Sequence, residues 1–171
     1  MIVSTHGILA SSGARDIASG YLFKSTTNST VVTGTTANTI SYSNLIPANT
    51  MLVGDFFQYQ LNAVRSGANG TATVRIYFNT SASVTGATLA GTATISATNI
   101  VFMSKIVMIK SATNTEFNVV TGTVVTRDAQ ANAVPVVANI NWTVNQYFII
   151  AFQPASALDS FYVNGLFFLK T

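Results

Sequence analysis

The chain is 171 residues long, 49% of them hydrophobic and only 8% charged, against roughly 25% charged in an ordinary soluble domain. About a third of the positions are Ser, Thr or Asn; the apolar runs, such as 100–103 and 166–169, fall far short of the ~20 residues of a membrane-spanning helix, and the hydrophobic content is too high for a disordered chain. The net charge of +3 comes from eight scattered Lys and Arg rather than a basic stripe, which argues against nucleic-acid binding through clustered cations.

Residues 1–27 carry no sustained periodicity. Gly7, Gly13 and Gly20 interrupt short apolar pieces, and this composition predicts an extended N-terminal arm, leaving residues 28–171 as one domain. No basic stretch precedes a sustained apolar run at the start of the chain, against a cleaved secretory signal. The arm reads either as a frayed terminus or as a strap that orders on a neighbour. Ile2, Val3, Ile8, Leu9 and Ile17 favour the strap and are its candidate attachment residues.

Period-two alternation then predicts strands. In 55–65, Phe57, Tyr59, Leu61 and Ala63 share one face, opposite Gln58, Gln60 and Asn62. In 71–79, Ala72, Val74, Ile76 and Phe78 alternate with Thr71, Thr73, Arg75 and Tyr77. Ser66 to Gly70 between them supplies turn residues, so an antiparallel hairpin is the simplest expectation. A third alternating run, 136–144, turns Ala138, Ile140, Trp142 and Val144 inward. Phe57, Leu61, Val74, Ile76, Phe78, Ile140 and Trp142 are the expected core. With no helical stripe and turn clusters about every 10 residues, the pattern reads as an all-β sandwich or barrel.

Three segments are apolar on both faces: 100–109, 147–152 and 161–169. Either they sit in a thick core of one chain, or their outer faces meet another subunit, and the second reading is favoured. Phe148, Ile150, Phe152, Phe161, Phe167 and Leu169 are the candidates for the interface or the core just beneath it.

Chemistry has little to build on. The chain has no cysteine and one histidine, His6, so disulfides, thiolate metal sites and Cys nucleophiles are excluded, and no Gly-x-Ser-x-Gly elbow holds a serine. Asp16, Asp55, Glu116, Asp128 and Asp159 are dispersed. They match neither a calcium loop nor an obvious glycosidase pair, and Asp55, Asp128 and Asp159 read as turn or strand-end carboxylates. Trp142, Tyr59 and Tyr147 read as core aromatics rather than sugar-stacking platforms, whereas Tyr77 falls on a polar face beside Arg75. The expectation is a non-enzymatic protein with no cofactor and no metal.

The segments Ile46 to Asp55, Gly70 to Phe78 and Ile140 to Gln146 resemble jelly-roll modules of tailed-bacteriophage virion proteins, found in head fibres, head decoration proteins and tail fibre tips. Their fold is similar to the trimeric tumour-necrosis-factor and C1q heads. The resemblance covers most of residues 30–171, and its best piece is the Ile-Pro-Ala-Asn-Thr…Gly-Asp run at 46–55. It implies an antiparallel jelly-roll sandwich behind the arm, a homotrimer, no catalysis, no membrane, a virion location, and capsid or tail proteins as partners. The alternative it leaves open is a receptor-binding or host-glycan-binding tail fibre tip, with a bacterial surface adhesin as a weaker third.

Overall fold

Alternation, β-branched side chains and aromatics give strands in the order expected of them. A computed structural model describes residues 20–67, 70–96, 100–119 and 134–171. These residues form ten strands: β1 (Gly20–Ser25), β2 (Thr39–Ile46), β3 (Phe56–Ser66), β4 (Thr71–Asn79), β5 (Thr88–Ser96), β6 (Ile100–Ser111), β7 (Asn114–Val119), β8 (Val134–Ala138), β9 (Gln146–Gln153) and β10 (Ser160–Lys170). There is no helix among them. The strands make a six-stranded sheet, β1-β10-β3-β6-β7-β8, and a four-stranded sheet, β2-β9-β4-β5. Every pairing is antiparallel, and both sheets turn apolar faces onto a common core.

All seven expected core residues are buried, none more than 2% exposed. The centre is aromatic. Phe78 of β4 meets Phe57, Trp142 and Phe148 with ring centroids 5.4–5.6 Å apart, edge to face, while Phe57 stacks on Phe168 at 4.9 Å. The Trp142 indole N–H donates to Thr115 Oγ1 at 2.7 Å, so the polar edge of this large buried ring has its partner.

Three expectations need correction. β3 and β4 do not form a hairpin: they belong to different sheets and lie on opposite sides of the core. β3 is flanked by β10 and β6, and β4 by β5 and β9, so neither has a free edge for the other. The chain turns the corner through Gly67 and Gly70, at φ +106° and +76°. A Cβ on Gly67 would collide with Asp159 Oδ1, so this turn requires glycine on two grounds. Second, the run at 136–144 leaves the sheet after Ala138. Inward alternation continues through Ile140 and Trp142, but Val144 is exposed. Third, the stretch read as arm contains β1, which pairs with β10, and Phe23 of β1 stacks on Phe168 at 4.9 Å. The sandwich therefore takes in residues well before 28. Ile2, Val3, Ile8, Leu9 and Ile17 lie outside the described residues.

Phe78→Ala removes a ring that touches three other aromatics in a closed core. It should cost about 3 to 5 kcal/mol, measured by guanidinium unfolding with Trp142, the chain's one tryptophan, as the fluorescence reporter.

Candidate interaction surface

The described acids are all engaged. Asp159 accepts from Arg65 Nη2 at 2.7 Å with both side chains 0% exposed. Asp55 pairs with Lys170 at 2.9 Å, again buried, and also accepts the Leu52 N–H at 2.6 Å. Glu116 pairs with Lys110 at the surface. No group of three or more His, Asp or Glu comes together among the described residues. These carboxylates are tied up in ion pairs that shape corners of the fold, more than the turn-residue role expected from sequence.

The cations are anchors too. Arg65 Nη1 donates to Gly70 O at 2.7 Å and to Ile95 O at 2.8 Å, joining β3 of one sheet to the end of β5 in the other. Lys105 points inward from β6 and donates to Ala90 O of β5 at 2.8 Å. Lys170 donates to Thr50 O at 2.8 Å. Tyr77, unexplained by the sequence pattern, accepts a hydrogen bond from Asn38 Nδ2 at 2.9 Å, and neighbouring Arg75 donates to Gln153 at 2.6 Å.

What remains unsatisfied is apolar surface, concentrated on the outer face of the six-stranded sheet. Ile100, Phe102 and Ile106 project outward from β6 and are 65%, 51% and 65% exposed. Registered beside them lie Val64 opposite Ile100, Asn62 opposite Phe102, Gln58 opposite Ile106 and Phe56 opposite Met108. The row from Met108 continues through Glu116 to Val137 of β8, and Phe56 and Val137 are exposed as well. Towards the other edge the same face carries Tyr162, Phe167 and Leu169 of β10, half-buried, and exposed Tyr21 of β1.

The six candidate interface residues divide. Phe148, Ile150, Phe152 and Phe161 are 0% exposed in the single chain and belong to the core, the second of the two places expected for them, so they do not themselves present a surface to a partner. β9 is a central strand flanked by β2 and β4, and even Ile149 and Ala151 on its other face are fully buried. Its two-sided apolarity is satisfied within one chain. Phe167 and Leu169 do lie on the outer face of the six-stranded sheet. The residues that sequence reasoning passed over are Ile100, Phe102 and Ile106, although their strand had been marked as apolar on both sides.

Removing one partner of a buried ion pair strands the other charge, which typically costs about 3 to 5 kcal/mol. Asp159→Ala should therefore destabilise the fold by about that much, whereas Arg65→Met combined with Asp159→Leu should cost clearly less than the sum of the two single changes; urea unfolding of the three variants measures both. In comparison with known proteins, no family model matches the chain, and no curated protein or solved structure is significantly similar to it.

Proposed function

We propose that this chain is a non-enzymatic structural protein of a tailed-bacteriophage virion, a jelly roll that assembles as a homotrimer and decorates the particle. The observation that carries the reading is the exposed apolar row on β6 with Phe56 and Val137 beside it. Exposed apolar side chains grouped in this way, with one surface ion pair, Lys110–Glu116, among them, are costly to leave in water and mark an interface. Assembly would cover the β3, β6 and β8 side of the outer face.

The strand order supports the jelly-roll reading. β1, β10, β3 and β6 share one sheet and β2, β9, β4 and β5 the other, so the chain crosses between layers repeatedly, as in double-sheet jelly rolls. β7 and β8 extend the first sheet beyond β6. The dense use of charge inside the fold, with none of the described acids left over for catalysis, fits a structural role. The segment before β1 is then the attachment arm to a capsid or tail protein, through Ile2, Val3, Ile8, Leu9 and Ile17.

Light scattering of the full chain at micromolar concentration should give three times the monomer mass, and a stable monomer overturns the assembly. Ile106→Lys places a charge on an outward, exposed position, so it should leave the circular dichroism spectrum unchanged while shifting the mass towards monomer. Deleting residues 1–19 spares β1; the truncated protein should fold and assemble but fail to incorporate into particles, and continued incorporation rules out the arm as anchor.

A further inference from the structure

A recess breaks the outer face of the six-stranded sheet where β10 bulges. The register of β10 against β3 slips between Val163 and Leu166. Gly165, at the slip, has φ +142° and no side chain to fill the gap. The result is a cavity of about 380 Å3 whose lining includes Tyr21, Lys24, Gln60, Asn62, Phe102 and Phe167, within the ~300 to 1,000 Å3 range of small-ligand sites.

Its chemistry is specific. Gln60 and Asn62 sit two apart on β3 and project to the same side; neither amide has a hydrogen-bond partner among the described residues. Rings form the walls: Tyr21 meets Phe167 edge to face at 5.6 Å, and Phe102 stands half out of the surface. Lys24 Nζ lies 5.8 Å from the Tyr21 ring centroid. No acid lines the recess.

We propose that this recess binds a pyranose sugar carrying a carboxylate, of the uronic acid class. Vicinal hydroxyls both donate and accept, as the two free amides require. The C–H face of a pyranose is apolar and suits the ring walls, and the carboxylate finds Lys24. A lipid tail would bury both amides without partners, at the desolvation cost that such groups carry. A peptide strand could add only along the outer edge of β1, away from the Gln60 and Asn62 amides, because β10 and β3 are already bonded on both sides and strand addition needs a free edge. This inference goes beyond the assembly reading and does not rest on it: the two amides and Lys24 lie on the β1 and β3 side of the face, and Phe102 is the residue that the recess shares with the apolar row of β6.

Saturation-transfer NMR on the full chain tests the proposal, with methyl β-glucuronide, methyl β-glucoside and hexanoate as probes. The glucuronide should bind with a Kd on the order of 1 mM and the glucoside roughly fivefold more weakly, the size of an exposed ion pair. Lys24→Gln should remove that difference, and the double change Gln60→Ala with Asn62→Ala should weaken both glycosides by about tenfold. All these positions are on the surface face, so the variants' unfolding curves should overlay the parent's. The proposal is overturned by no transfer from the glucuronide at about 20 mM, by unchanged binding in the double variant, or by hexanoate binding as tightly as the glucuronide. Masses read on the same samples separate the two ideas: a monomer that binds refutes only the assembly, and a trimer that does not bind refutes only the recess.

Discussion

The guanidinium of Arg65 forces two sheets to share one geometry. It leaves the end of β3, meets the Asp159 carboxylate ahead of β10 through Nη2, and donates from Nη1 to the carbonyls of Gly70 and Ile95, with the Phe161 ring beneath it. Four chain segments converge on one planar group. A buried pair of this kind adds little net stability, since desolvation offsets most of the attraction. Its contribution here is geometric, because the one group ties the turn at Gly70, the end of β5 and the approach to β10 to the end of β3. Lys105 makes a second tie across the core and Lys170 a third at the opposite end. A chain with so few charges places three of its cations inside.

The faces of the strands were legible in the sequence, and their neighbours were not. Alternation in β3 and β4 identified the inward apolar residues correctly, because a side-chain period of two is a local property. The same alternation is silent on whether an apolar face lies beside the next strand or across from it, and there the hairpin expectation failed. Arg65 read as an isolated cation because its partner is 94 positions away. β9 and β6 read alike as two-sided apolar strands, yet one is a central strand covered on both faces and the other is covered on one. Both are interior strands of their sheets, so the difference lies in what covers each outer face, which composition does not carry. One signal was available: a lone glycine inside an apolar strand commonly marks a bulge, and Gly165 is such a case.

The outer face of the six-stranded sheet is therefore heterogeneous along its width. Along β6 and towards β8 it carries exposed Ile100, Phe102, Ile106 and Val137 with the Lys110–Glu116 ion pair among them. Near β1 it is indented, amide-bearing and weakly cationic, suited to a small polar ligand. The four-stranded sheet differs from both, since its outer aromatics and cation are tied into hydrogen bonds with Asn38 and Gln153.

The position of β10 constrains how the molecule is made. It lies between β1 and β3, so the latest strand in the sequence sits inside the sheet rather than at its edge. Until synthesis has passed Lys170, β1 has no ladder to join and β3 has one side open, and the aromatic core lacks Phe161 and Phe168. Closure must then bring together residues more than a hundred positions apart, a search that slows folding in non-local β topologies to milliseconds or longer. The two ladders that β10 makes are thus the last to close, and until they do the sheet is incomplete and its apolar face is open to water.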